Sequence, residues 1–346
     1  MRKICVFIGS RANWGRLKSV CKAIQEHPGL ELQVITGASV FDLPIEADAK
    51  IQCLVEGDNL QAMTLTAGLV LTQIGGVLER LKPDMVLVHG DRYEVLPVAM
   101  AAAYMNIPLA HGEGGEITGT IDEKVRHCIT KLADVHFPVT ELSAKRIVAM
   151  GENTDMVFTV GSTALDTLVG IDLTNNRKEP YILVLHHPNT THPEDIGPLI
   201  EAVMAIPIKK VFVNSNTDSG AKAMMKKIHG LKDVEVLKNL PPEEYARLLK
   251  NCKVAVGNSS SFIKEGAFLG VPAVLVGRRQ EGREVGDNVI LAPMDTHRII
   301  DSIEMWDILP RPKADHRFGN GTAGKQVADM LSRVEVGEKK LCLSLA

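Results

Sequence analysis

The chain has 346 residues, which favours two domains of roughly 150 to 180 residues over one enlarged core. A net charge of -3 and an aromatic content of 4% leave neither the positive field nor the stacking surface of a nucleic-acid-binding protein. The six cysteines, Cys5, Cys21, Cys53, Cys128, Cys252 and Cys342, form no CxxC pair and no metal-ligand spacing, so reduced thiols and no metal site are expected.

The first strand is expected at Lys3 to Ile8, so the amino terminus lacks the longer apolar region of a secretory signal. No uninterrupted apolar run approaches the length that spans a bilayer, and the expected location is the cytoplasm. GSRANWGRL follows as a glycine-containing turn and an amphipathic helix ending near His27, the opening unit of a Rossmann-like half. The turn is not GxGxxG. Gly9, Ser10 and Arg11 nevertheless stand where a helix N-terminus offers N–H groups to an anion, and Arg11 adds a fork suited to phosphate. Leu30 to Thr36 and Ile51 to Val55 read as strands separated by a loop. Asp58 caps a long helical pattern through Leu81, ended by Pro83. Gly68, Gly75 and Gly76 inside it each cost ~1 kcal/mol against alanine, which suggests close packing, a kink or a subunit contact.

Met85 to His89 is apolar and β-branched enough for a buried parallel strand, and it stops at Gly90, Asp91 and Arg92. A helix over Tyr93 to Tyr104 and a strand at Ile107 to Ala110 then deliver His111, Gly112 and Glu113 to the same sheet edge. Thr120 with Glu123 reads as a capping box, opening a helix whose first turn holds Asp122 with Arg126 four residues on. Ligands of a doubly wound sheet lie outside the carboxyl ends of its strands, so Asp91, Glu113 and Asp122 are expected to converge on one cleft. Gly112, Gly114, Gly115 and Gly119 would let the backbone approach a ligand. Any one of these acids is also what an ordinary strand-end turn or helix start contains. The set, interleaved with Arg92, His111 and Arg126, carries the reading of a site.

Val135 to Val139 and Val157 to Val160 read as strands around a helix at Glu141 to Met150, and Gly161-Ser162 as the start of another helix. Between Val169 and Pro180 the apolar period is lost, which sets domains at 1–170 and 171–334 with a tail at 335–346. The second half repeats the alternation, with strands at Tyr181 to Leu185, Lys210 to Asn214, Val234 to Leu237, Val254 to Val256, Ala273 to Val276 and Val289 to Leu291. Strand ends again hold the informative residues. His187 in HHPNTT is either a structural strand-end histidine or an imidazole set over the cleft, and Asn216 in NSNTDSG reads as a turn residue able to bond a nucleobase edge. In VAVGNSSSFIKEG, Ser259 and Ser260 suit a diphosphate cradle, with Glu265 accepting from ribose hydroxyls, or a simple serine cap. Arg279 and Arg283 in GRRQEGRE suit either a phosphate clamp or a solvated basic loop. The final helix covers Ala323 to Val334, and a return to the first domain is open to it.

Across residues 3 to 334 the sequence resembles the UDP-N-acetylglucosamine 2-epimerase family, and more closely its hydrolysing branch, which begins sialic-acid and related nonulosonic-acid synthesis. The marks are GSRANWGRL at 9–17, HGDRYE at 89–94, HGEGGEITGTIDEKVRHCITKL at 111–132, GNSSSFIKEGAFLGVPAVLVGRRQEGREVGDNV at 257–289 and FGNGTAGKQV at 318–327. The EAGLR motif of the non-hydrolysing relatives is missing. The resemblance implies an α/β fold of two Rossmann-like domains in a glycosyltransferase-B-like arrangement, an active-site cleft between them, and chemistry that needs no metal or cofactor. It matches Arg11, Arg92, His187, Asn216, Ser259, Ser260, Glu265 and Arg279 to UDP-binding positions. Asp91, Glu113 and Asp122 match the catalytic carboxylates, with His111 and Arg126 beside them. Asn13 stands where many relatives carry an acid, and the loop at 37–50, where Ser39 replaces a usual histidine, is shorter.

The implied reaction is proton abstraction at C2 of a UDP-2-acetamido sugar, anti elimination of UDP to a glycal, and hydration with reprotonation from the opposite face. A non-hydrolysing epimerase, a glycosyltransferase on the same architecture and a UDP-sugar-binding regulator without turnover are the alternatives. The expected partner is the UDP-sugar, with no nucleic acid and no membrane. A homodimer or homotetramer is the expected assembly.

Overall fold

The structure is a computed structural model that describes residues 1–37, 40, 45–57, 59–215, 220–238 and 240–337. Packing divides the chain into two compact units. The first comprises residues 1–116, 122–166 and those from 319 on; the second comprises 117–121 and 167–318.

The first unit carries strands β1 (Arg2–Ile8), β2 (Leu30–Gly37), β3 (Ala49–Ile51), β4 (Met85–His89), β5 (Leu109–Gly112) and β6 (Val135–Phe137). Its helices are α1 (Arg11–Glu26), α2 (Leu60–Leu81), α3 (Leu96–Tyr104), α4 (Asp122–Leu132) and α5 (Glu141–Ala149). The strands form one parallel sheet in the order β3-β2-β1-β4-β5-β6. The second unit carries β7 (Tyr181–Leu185), β8 (Lys209–Val213), β9 (Glu235–Leu237), β10 (Val254–Gly257), β11 (Ala273–Val276) and β12 (Val289–Ala292). Its helices are α6 (Gly197–Ala205), α7 (Ala221–His229), α8 (Pro242–Asn251), α9 (Lys264–Leu269) and α10 (Thr296–Ile308), and its parallel sheet runs β12-β11-β10-β7-β8-β9. The last helix, α11 (Ala323–Arg333), packs in the first unit. Both orders are doubly wound and Rossmann-like: the chain fills one side of the first strand, then crosses to the other. The crevice of each sheet therefore opens where that reversal occurs, beside β1 and β4 in one unit and β7 and β10 in the other.

The sheets form because their strands are continuous apolar runs. β4 and β7 are buried along their whole length, as strands covered on both faces must be. α1 starts at Ser10, whose hydroxyl accepts from the Asn13 amide at 3.1 Å, and buries Leu17, Val20, Cys21 and Ile24 on the sheet. α11 lies against α1 because Gly324 has no side chain. A Cβ there would sit 2.8 Å from the Ser19 backbone. The orphan N–H groups of its first turn, from Ala323 and Gly324, are taken up by Asp166 at 2.9 and 2.6 Å.

Several expected boundaries shift. β5 begins at Leu109, after Pro108, so His111 and Gly112 lie inside the strand and pair with β4 and β6. Val157 to Val160 is extended but joins the sheet by one bridge, His136 to Val157, with Phe158 and Val160 donating to His136 and Pro138. The third strand lies at Ala49–Ile51, earlier than the sequence pattern places it. Asp58, Ser39 and Asn216 fall outside the described residues. Asn59 caps α2, accepting from Ala62 at 2.8 Å.

α2 is also long and apolar enough to cross a bilayer by length and composition, which corrects the expectation that no segment qualifies. It buries Ala62, Thr66, Val70, Ile74 and Leu78, with the last three packed in the core beside β4, as a helix of a globular unit does. On its opposite face Gly68 and Gly76 meet open space.

Candidate active site

In the first unit β4 and β5 end side by side. His89 pairs with Gly112, and the Gly90 amide donates to the Gly112 carbonyl at 2.9 Å. Asp91 and Glu113 follow directly, so the two acids leave the carboxyl ends of adjacent strands, which lie about 4.8 Å apart. Asp122 is the first residue of α4, and its charge acts on Arg126 one turn along the helix.

Arg126 organises this group. It is 2% exposed, donates from Nε to Asp91 at 2.8 Å and from Nη1 to the Glu116 carbonyl at 2.6 Å, and pairs with Asp91 again through Nη2. Burial alone would weaken its charge; Asp91, Glu116 and Asp122 more than offset that and raise its pKa.

Glu113 is buried and holds a left-handed backbone, φ 61°. That conformation is uncommon for a residue with a side chain, and at a strand end it turns the carboxylate sharply. Arg16 donates to Oε2 at 2.5 Å, Ser162 to Oε1 at 2.9 Å, and His89 Nε2 lies 3.6 Å from Oε2. Sequence reading missed all three partners. Arg16 left a signal: it flanks the stripe Asn13, Leu17, Val20 on α1, where an arginine needs an acid to enter. Ser162 and His89 left none, because their closeness to Glu113 is purely tertiary.

Asn13 closes the crevice floor. Its Oδ1 accepts from Gly9 at 3.4 Å and its Nδ2 donates to the His89 carbonyl at 3.2 Å, joining the ends of β1 and β4. A carboxylate could make only the first bond. Arg92 is pinned through Nε to the buried Glu94 at 2.8 Å, while Arg11, the first residue of α1, is exposed. The expected role of the glycines needs correction. A Cβ on Gly112 would meet the His89 ring at 2.6 Å, one on Gly114 the Thr130 hydroxyl at 3.0 Å, and one on Gly115 the Ser143 carbonyl at 2.2 Å. They let protein pack against protein.

His111 is fully buried. Nε2 meets the Gly90 carbonyl at 2.9 Å, Nδ1 meets the Thr130 hydroxyl at 3.2 Å, and burial lowers its pKa to about 3. The ring is neutral and holds the end of β4.

In the second unit Asn258 plays the part that Asn13 plays in the first. Its Oδ1 accepts from the His187 amide at 2.7 Å and its Nδ2 donates to the His187 carbonyl at 2.8 Å, locking the ends of β7 and β10. Its own carbonyl accepts from Arg279 at 3.2 Å and Gln280 at 2.8 Å, and Gln280 accepts from Arg283 at 2.7 Å. His187, Arg279 and Arg283 are thus mounted on one buried asparagine. Ser259 is buried and caps a short 3-10 turn at Ser260–Phe262, with its hydroxyl 2.8 Å from that of Ser261, which also pairs with Tyr245. Ser260 and Glu265 are half-buried, Glu265 in the first turn of α9.

His186 is buried too, its pKa lowered to about 3 by burial and by Arg279. The Asn258 Nδ2 donor faces its Nε2 at 3.1 Å, so a second ring proton would set donor against donor. Both His111 and His186 have folded pKa values below the unfolded value, so the unfolded chain binds more protons between about pH 3 and 6.5. Stability is full above that window and falls on acidification, by about 1.4 kcal/mol per pH unit for each ring. Thermal unfolding followed from pH 7 to pH 5 is expected to fall in Tm, and the slope to flatten in His186→Gln; an unchanged slope would place the lost stability elsewhere.

A profile of the UDP-N-acetylglucosamine 2-epimerase family matches residues 22–332. The chain is 32% identical to the UDP-N,N'-diacetylbacillosamine 2-epimerase (hydrolyzing) of Legionella pneumophila, covering 96% of each chain. It is also 32% identical to the GDP/UDP-N,N'-diacetylbacillosamine 2-epimerase (hydrolyzing) of Campylobacter jejuni, over 84% of each. Its fold superposes on Methanocaldococcus jannaschii UDP-GlcNAc 2-epimerase, solved in complex with UDP-GlcNAc and UDP, with a TM-score of 0.84 at 19% identity, covering 95% of this chain and 99% of that one. Two doubly wound sheets, the acid-bearing ends of β4 and β5, and matches along nearly the whole chain lead to one conclusion: this chain belongs to the UDP-N-acetylglucosamine 2-epimerase family.

Proposed function

We propose that the protein is a hydrolysing UDP-sugar 2-epimerase that takes a UDP-2-acetamido sugar, UDP-N-acetylglucosamine or a 4-acetamido-6-deoxy analogue, and releases UDP and the C2-inverted sugar. The observation that carries the reading is the acid set at the ends of β4 and β5 and the start of α4, tied to the buried Arg126 and to Arg16. Hydrolysing 2-epimerases among the relatives support it, and their diacetylbacillosamine substrates favour the 4-acetamido analogue.

A carboxylate takes the C2 proton, the C1–O bond breaks with UDP leaving on the opposite face, and the electrons form the glycal double bond. A carboxylate then takes a proton from water as the water oxygen bonds C1, and an acid returns a proton to C2 from the other face. C2–H is weakly acidic, so departure of the diphosphate needs stabilised negative charge. Arg11, Arg92, Arg279 and Arg283 are assigned to that task, with His187, Asn216, Ser259, Ser260 and Glu265 on the rest of UDP. Asp91, Glu113 and Asp122 share the proton transfers as a coupled group, and His111 and Arg126 hold them in place.

The experiment is incubation with the two UDP-sugars in deuterated water, read by NMR. Free UDP with a C2-deuterated, inverted sugar is expected. Intact UDP-sugar with exchange at C2 would make the enzyme non-hydrolysing, and binding without turnover would make it a regulator. We further propose a cytoplasmic homodimer or homotetramer. The exposed Leu60, Leu65 and Leu69 of α2 beside Gly68 and Gly76 support self-association, and the described cysteines are free of disulfides.

A further inference from the structure

Between Glu113 and Asp122 the chain changes units. Glu116 and Asp122 belong to the first, whereas residues 117–121, ITGTI, belong to the second. Inside the second unit this short segment is held at three points. The Gly119 amide donates to the Arg279 carbonyl at 3.2 Å, and a Cβ on Gly119 would lie 2.0 Å from the Arg278 carbonyl. The Ile117 side chain lies over Gly282, where an added Cβ would meet it at 3.1 Å. The Ile121 amide donates to the Thr191 hydroxyl at 2.7 Å, and the Thr191 amide is fixed in turn by the buried Asn189 at 3.1 Å.

Two of these anchors are the loop 278–282 that carries Arg279, and the third follows His187 on the β7 loop. The next residue after the last anchor is Asp122, and the carbonyl just before the first is that of Glu116, gripped by Arg126. We infer that residues 117–121 are a strap, anchored on the loops assigned to UDP, that fixes the backbone leading into Asp122, with Gly119 and Thr191 as positioning residues. This rests on the proposed function. Misplacing a catalytic group by an ångström costs up to about 100-fold in rate, which is enough for a strap without substrate contact to govern turnover.

Thr191 is exposed, so Thr191→Val tests the strap without threatening the fold. The expected result is a kcat lowered about 10-fold with UDP affinity within about twofold, and recovery in Thr191→Ser, which restores the hydroxyl. Hydrogen exchange gives an independent readout. UDP is expected to slow exchange at Gly119 and Ile121 in the wild-type protein, and at Gly119 alone in Thr191→Val. An unchanged kcat in Thr191→Val, an equal fall of kcat and UDP affinity, or strap amides indifferent to UDP would each overturn the inference. Absence of turnover by a wild-type protein whose strap amides respond to UDP would instead count against the proposed reaction and leave the strap standing.

Discussion

Asp122→Asn is expected to lower kcat by about 10³-fold, the middle of the range for loss of a positioned acid or base, while changing UDP affinity less than about twofold. The substitution keeps the size and polar character of the first residue of α4 and removes its charge and its capacity to carry a proton. An acid in the first turn of a helix contributes only about 0.3–1 kcal/mol through the helix dipole, so stability should fall within that range. The split between turnover and binding is the informative part. Asp122 belongs to the first unit and Ser259, Ser260, Arg279 and Arg283 to the second, so a group working on the sugar should separate the two readouts widely. Calorimetric titration with UDP beside a coupled UDP-release assay makes the comparison. A parallel loss of both would place Asp122 on the nucleotide instead.

The parts of the molecule that sequence revealed are those with local causes. Met85–His89, Tyr181–Leu185 and Ala273–Val276 fall at their expected limits because each is an apolar run stopped by residues a sheet interior rejects. The placement of Asp91, Glu113 and Asp122 just past two strands and at a helix start is legible for a related reason: these are where a doubly wound sheet exposes polar groups. Long-range partners fixed the rest. Glu113 gives no local hint that Arg16, far earlier in the chain, and Ser162, far later, take its two oxygens. The glycines of HGEGG suggested space for a ligand, but the atoms crowding them are His89, Thr130 and Ser143, which no spacing rule reveals. Val157 to Val160 has the composition of a strand and gains only one bridge, since pairing depends on the neighbour as well as on the run itself. Asn258 illustrates the same limit. Within GNSSS it reads as a turn residue, whereas its amide joins the ends of β7 and β10.

Asp91→Ala is expected to remove turnover and also to destabilise the first unit by about 3 kcal/mol, because it removes the acid that the buried Arg126 bonds directly. The guanidinium is 2% exposed, and Asp91 is the acid that both its Nε and its Nη2 bond directly. Truncating one member of a buried ion pair is costly for that reason, whereas replacing both members by apolar groups can be nearly neutral. The double substitution Asp91→Ala with Arg126→Met should therefore recover much of the lost stability while turnover stays absent. Denaturant unfolding measures the first quantity and UDP release the second. That recovery would show that the pair is kept for the reaction it serves, at a site where a plain apolar contact would hold the fold as well. If Asp91→Ala leaves the unfolding midpoint where it was, Arg126 is not buried against Asp91 in solution. If the double variant regains activity, neither residue takes part in the chemistry, and the proton transfers must then be shared between Glu113 and Asp122 alone.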